Sequence, residues 1–188
     1  MRLVFLLEER SAKLFLDALL PRILPQGIGF LTIPHEGKQD LRRSIPRKLK
    51  AWQYPDDRFI IVHDQDSNDC RSLKTELQLL CLSLGRADVK IRIACRELEA
   101  WYLGDLPSLD RTYGTQLQRQ KGSRLFRSPD ATVNPSQELL RLIPTFSKTD
   151  AARRLGKIID LENNESSSFR LLLHTVMMLL PPAPNTLV

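Results

Sequence analysis

Phe59-Ile60-Ile61-Val62-His63-Asp64-Gln65-Asp66-Ser67-Asn68-Asp69 is the stretch whose reading decides the fold of this chain. Its first four residues are apolar and rich in β-branched side chains, the composition of a strand inside a sheet. The next seven are polar, and a strand cannot run on through them without burying charge. The strand therefore ends near Val62 and a loop follows. Beyond the loop, Leu73, Leu77, Leu80, Cys81 and Leu84 recur at helical spacing from Cys70 to Leu84, and Gly85 suits the C-terminal cap. Val89, Ile91 and Ile93 then alternate with Lys90 and Arg92, as in a strand with one buried face.

The same alternation extends upstream. Leu3 to Leu7 is a continuous apolar run, expected of a strand covered on both faces. Ser11 is placed to cap a helix reaching about Leu24, with Leu14, Phe15, Ala18, Leu19 and Ile23 on one face. Phe30 to Ile33 reads as a second strand stopped by Pro34, and a basic segment runs from Lys38 to Lys50. Glu97 to Leu103 opens a further helix. Strands separated by helices predict an α/β fold of the Rossmann-like kind, a mostly parallel sheet flanked by helices. After Pro107 no strand signal follows, and helix signals fall at 137–143, 149–159 and 168–180. The expected organisation is an α/β core over 1–106 and a helical extension over 107–188, packed together as one compact unit.

With 42% apolar and 27% charged residues, the chain can bury a core, which excludes a disordered class. A formal net charge of +6 makes a polyanion a plausible partner. Cys70, Cys81 and Cys95 form neither a CxxC pair nor a Cys/His cluster, which argues against a disulfide framework or a zinc site. Glu8 and Glu9 interrupt the N-terminal apolar run well short of a signal peptide, and 171–180 is too short to span a bilayer. A cytoplasmic protein without a membrane partner is expected. No Gly-rich phosphate loop is present, so this chain is not expected to be an ATPase.

Open parallel sheets bind ligands at the carboxyl ends of their strands. Three predicted strand ends carry acids: Glu8-Glu9, Asp64-Gln65-Asp66 and Glu97-Leu98-Glu99. Clustered carboxylates repel unless a cation compensates them, and Mg²⁺ or Mn²⁺ takes a few such oxygens plus water. A calcium loop starting at Asp64 is rejected, because its sixth position is Asp69 instead of Gly and its twelfth is Thr75 instead of Glu. Without a cation, the same residues serve as helix caps and solvated side chains.

A Glu after the first strand and a DxD after the third resemble the Toprim fold of topoisomerases, primases and overcoming-lysogenization-defect-type nucleases. The match is closer to a bacterial domain-of-unknown-function family with a Toprim-like core, often encoded beside an ABC- or SMC-type ATPase in defence islands. It rests on 6–13, 33–38, 63–67, 95–105 and 166–169, which lie in order along most of the chain. The resemblance implies a divalent-metal-dependent nuclease in which Glu8, Asp64 and Asp66 hold the ion and Glu99 is a further ligand or base. It favours Glu8 over Glu9 as the first acid, although Glu9 stands where relatives have Gly. An ATPase partner and a role in phage defence are implied in the same way.

Lys38, Arg42, Arg43, Arg47, Lys48 and Lys50 carry one acid among them, Asp40, and are placed to bind the phosphate backbone of nucleic acid, DNA in preference to RNA. Arg119–Arg127 and Arg153–Lys157 are further basic sets. His35 and His63 are candidate bases or metal neighbours, with a hydrogen-bonded structural role as the alternative. Two rival functions are a non-catalytic adaptor for a partner ATPase and a receiver-like phosphoacceptor. The receiver reading requires a fifth strand and a lysine after the last one, and neither is legible after Ile93.

Overall fold

A computed structural model describes residues 1–182; the end of the predicted extension, 183–188, lies outside the described residues. Four strands form one all-parallel sheet in the order β2-β1-β3-β4: β1 (Arg2–Leu7), β2 (Gly29–Pro34), β3 (Asp57–Asp64) and β4 (Lys90–Ala94). α1 (Arg10–Leu19), α2 (Lys38–Ala51) and α3 (Cys70–Ser83) connect them. After β4 come α4 (Glu99–Leu103), α5 (Leu106–Tyr113), α6 (Arg124–Arg127), α7 (Pro135–Leu142), α8 (Lys148–Leu155) and α9 (Ser167–Leu179). The α/β expectation holds.

The sheet pleat sorts the core into two layers. Leu3, Phe5, Leu7, Ile60 and Val62 face one side, where α1, α4, α5, α8 and α9 cover them. Val4, Leu6, Phe59, Ile61, Ile91 and Ile93 face the other, under α2 and α3. At the amino edge, Arg2 Nη2 lies 2.6 Å from Asp57 Oδ2, and Trp52 Nε1 donates to the same oxygen at 2.9 Å. The start of β1 is thus tied to that of β3. On the one-sided strand β4, Arg92 Nη1 donates to the carbonyl of Ile91 at 2.8 Å.

Some boundaries differ from expectation. α1 stops at Leu19 and a short 3₁₀ turn, Leu20–Arg22, replaces its last turn, because Pro21 has no N–H to continue the ladder. The basic segment is itself a helix, α2, burying Leu41, Ser44, Ile45 and Leu49 despite Pro46 inside it. α5 was not expected; Asp105 caps it, accepting from Ser108 N at 3.1 Å, and Gly114 ends it at φ 69.

Two contacts set the helical half against the core. Gly156 ends α8 where a Cβ would meet the Phe15 carbonyl of α1 at 2.6 Å. Asp130 accepts from Ser168 N at 2.8 Å and Ser166 Oγ at 2.6 Å, and Trp101 Nε1 donates to Ser168 Oγ at 2.9 Å. The Ser166–Phe169 run is therefore a structural lock on the start of α9, where Ser166 Oγ also accepts from Phe169 N at 3.2 Å.

Gly156→Ala is expected to push α8 away from α1. Overpacking of this kind costs about 1–3 kcal/mol, or roughly 2–10 °C of melting temperature for a chain this long. Thermal unfolding followed by circular dichroism checks it; an unchanged melting temperature would show that the two helices need not touch there.

Candidate active site

In the order β2-β1-β3-β4, α1 leads from β1 to one side and α3 leads from β3 to the other. The crevice where the two directions part lies outside the ends of β1 and β3, the usual ligand position of such sheets. Glu8 and Glu9 follow β1 there, and His63 and Asp64 close β3. Across the β2 end, Gly37 N donates to the Glu8 carbonyl at 2.9 Å, from a backbone at φ 91 that a side chain would strain.

The pleat divides these acids between two faces. Glu8 turns toward His63: its Oε2 lies 3.0 Å from His63 Nδ1 and accepts from the Asp64 amide at 3.1 Å. Burial raises the Glu8 carboxyl above its ordinary range, with His63 and the amide opposing. His63 Nδ1 also lies 2.6 Å from the Asp64 carbonyl, so two acceptors face it and it carries the proton, while Nε2 is buried without a partner. His35 is structural: Nδ1 donates to the Leu7 carbonyl at 2.8 Å, leaving Nε2 to accept from Ser44 Oγ at 2.7 Å.

On the α1 face stand Glu9, Asp64, Glu99 and Lys148. Glu99 is 0% exposed, and neither of its carboxylate oxygens has a hydrogen-bond partner. Its nearest cation is Lys148 Nζ, 3.5 Å from Oε1. Burial, less the opposing effect of Lys148, pushes the Glu99 carboxyl up to about 7. Burial also drives Asp64 well above the usual carboxylate range, with Glu99, Glu8 and Glu9 adding to it. Burial pulls Lys148 down, but Glu99, Glu9, Glu97 and Asp64 outweigh it and hold its ammonium above its ordinary value. Tyr102 is buried beside them with an unpartnered hydroxyl. Glu9 precedes α1 and accepts from Ser11 Oγ.

Asp66 lies apart from this group. Its backbone sits at φ 51, and that of Arg96, across from it, at φ 62; these are the two non-glycine residues with positive φ among the described residues. Asp66 N donates to the Arg96 carbonyl at 2.8 Å, and Arg96 Nη1 to the Asp66 carbonyl at 3.0 Å. The loops after β3 and β4 thus hold each other in a strained conformation, of the kind that collects at functional sites. The Asp66 carboxylate itself pairs with Lys38 at 3.1 Å.

The basic helix α2 is partly neutralised. Besides Lys38, Arg42 binds Glu76 of α3 through two bonds of 2.7 and 3.0 Å. Arg43, Arg47 and Lys50 are exposed, lie at helical spacing and make no ion pair among the described residues. Lys48 is half-buried on the same helix.

A cleft of about 560 Å³ adjoins the acids, lined among others by Glu9, Arg10, His35, Gly37 and Lys148. The starts of α1, α2 and α8 all border it, and none of the three has a side-chain cap. Backbone N–H groups at helix starts favour anions.

The structure thus brings Asp64 and Glu99 together, with Glu9 beside them; Glu8 is engaged by His63 and Asp66 by Lys38. Among the described residues no three His, Cys, Asp or Glu side chains are spaced as a ready ligand set, the expected Glu8, Asp64 and Asp66 included. Sequence reasoning missed Lys148, which reaches the site only through the packing of α8 on α1. No motif marks it.

The raised Glu99 carboxyl gives a pH-dependent expectation. A folded value of about 7 against an ordinary 4.5 means that the group's contribution to stability is fully present below about pH 4.5 and lost as pH rises through 7. In chelator-treated protein, Glu99→Gln should therefore melt at the wild-type temperature near pH 4.5 and several degrees higher at pH 8, at most about 3 kcal/mol of stabilisation. A difference independent of pH would show that Glu99 does not titrate in this range.

No curated protein and no solved structure matches the chain. The model of a domain of unknown function, DUF4276, covers residues 7–177, from the end of β1 into α9, and so spans both the acidic edge and the helical half. The chain belongs to the DUF4276 family.

Proposed function

We propose that the protein is a divalent-metal-dependent phosphodiesterase acting on nucleic acid, a nuclease of Toprim type. The observation carrying this reading is Glu99: a fully buried carboxylate, both oxygens without hydrogen-bond partners, near a second, half-buried carboxylate at Asp64. Hard oxygen donors left unbonded in this way fit Mg²⁺ or Mn²⁺ in kind. Their spacing is not that of a closed ligand set among the described residues, and Lys148 supplies the nearby positive charge. Asp64, Glu99 and Glu9 would hold the ion.

Such an ion supplies Lewis acidity toward a phosphate oxygen and lowers the pKa of a bound water. The chain's own residues do the rest. The uncapped starts of α1, α2 and α8 present N–H groups to a phosphate in the adjoining cleft. Glu8 accepts from the Asp64 amide and fixes the end of β3 beside the crevice. The Asp66–Arg96 clamp holds the loop behind it. Arg43, Arg47 and Lys50 offer unpaired charge to the backbone of a long polyanion.

A second reading, the adaptor docking a partner ATPase, is favoured by α9, where Leu171, Met177 and Met178 are exposed. Such side chains suit a protein partner. The receiver-like reading lacks support: the described sheet has four strands, and Cys95-Arg96 follows the last.

Two experiments test the proposal. Asp64→Asn and Glu99→Gln should each reduce Mn²⁺-dependent cleavage of plasmid DNA by at least about a hundredfold, since even outer-shell partners of a metal are worth 10–100-fold. Asp66→Asn should cost less, because that carboxylate is paired with Lys38. Undiminished cleavage in the Asp64 variant would refute the mechanism, and inactivity of the wild type with and without a partner ATPase would leave the adaptor. Separately, Arg43→Glu with Arg47→Glu should weaken DNA binding and flatten its salt dependence by about 0.9 per lost phosphate contact, whereas Arg42→Ala should change the slope little. Equal effects at Arg42 and Arg43 would contradict the assignment of free and engaged arginines.

A further inference from the structure

Lys148 is the first residue of α8, a position where a cation opposes the helix dipole. Something other than the helix therefore stabilises it there. Its ammonium is the nearest cation to the fully buried Glu99, and it also faces Glu9, Glu97 and Asp64. At 3.5 Å it pairs with Glu99 without making a hydrogen bond, since both Glu99 oxygens remain unpartnered. The pairing is one of charge, with no directional bond to hold the group in place. Lys148 also lines the 560 Å³ cleft and is 40% exposed, so its side chain has room to leave.

We propose that Lys148 is a resident counter-ion: its ammonium stands among Glu9, Asp64 and Glu99 in the place of a divalent cation and must withdraw toward the cleft when one binds. This rests on the reading of the acidic edge as a cation site and adds its regulation. A fully buried carboxylate with a second, half-buried one near it is unstable without a positive charge. The lysine meets that need in the metal-free protein, so the fold does not depend on the ion. It also sets a threshold, because an incoming dication must displace a tethered monocation. The withdrawn ammonium enters the cleft, where an anionic substrate would meet it. Lys148 is accordingly a positioning residue whose first effect is on cation affinity.

The test uses the full chain, stripped with chelator and titrated with Mn²⁺ alone by calorimetry at fixed pH, comparing wild type, Lys148→Met, Lys148→Arg and the double variant Lys148→Met/Glu99→Gln. Wild type should bind Mn²⁺, and Lys148→Met should bind at least about tenfold more tightly, as expected on removing a unit charge a few Å from a dication even at high effective dielectric. Lys148→Arg should stay near wild type, and the double variant should lose the gain. The metal-free Lys148→Met protein should melt lower, and Mn²⁺ should restore it. Equal affinity in wild type and Lys148→Met overturns the counter-ion while leaving the cation site intact. Binding by Lys148→Met alone supports the counter-ion and overturns the metal-dependent function of the wild type. Absence of binding in both overturns both. If Lys148→Met does not fold, rescue by Glu99→Gln or by Mn²⁺ supports the inference and failure of both rescues overturns it.

Discussion

β1 has neighbours on both edges, and Leu3 through Leu7 are each 0% exposed. No position along that run can carry a polar side chain, so both sheet faces must be roofed by apolar helix surfaces. The polar residues of the central strands are thereby displaced to their ends. At the amino edge they are settled locally: Arg2, Trp52 and Asp57 satisfy one another. At the carboxyl edge the chain places Glu8, Glu9, His63 and Asp64 within one crevice and brings Glu99 up against it from the first residue of α4. The confinement of charge at that edge follows from the apolar centre.

The crevice resolves its charge in two unlike ways. On the α2 face the acids have partners in the ordinary sense: Glu8 has His63 and a backbone amide, and Asp66 has Lys38. On the α1 face Asp64 and Glu99 have burial, mutual repulsion and one ammonium. The pleat makes this division, because successive residues of a strand point to opposite sides. Glu8 and Asp64 are neighbours at the sheet edge with different hydrogen-bond partners, yet the charge of Glu8 still helps to raise the Asp64 carboxyl. Glu9, one residue on and already the cap of α1, returns to the side where Asp64 lies.

Much of this was legible in the sequence. The apolar runs at Leu3–Leu7 and Phe59–Val62 specify buried strands, because few other settings accept that composition, and the acids after them mark the ligand edge of a parallel sheet. Asp64 and Glu99, singled out on that ground, lie close enough for the charge of Glu99 to raise the Asp64 carboxyl. The choice between Glu8 and Glu9 was not legible, since it depends on which face each residue takes after the strand ends, and a bend there is not written in the spacing. Lys148 was illegible for a different reason: α8 is recognisable as a helix, but its seat on α1 depends on the close approach at Gly156, a contact between segments more than a hundred residues apart. The basic run at 38–50 read as one patch because one-dimensional charge counting cannot see that Glu76 and Asp66 approach from other elements.

An open sheet of four strands leaves two borders where a foreign strand could add, and β4 is one of them. There the guanidinium of Arg92 folds back onto the carbonyl of Ile91, and Lys90 is exposed beside it. A strand approaching from solution would have to strip a charged group from that acceptor and accommodate a second cation, with no carboxylate of β4 in return. Native sheets protect their borders against templated stacking by such means. For this chain the consequence is colloidal: that border of a highly apolar sheet has a reduced tendency to propagate into fibres.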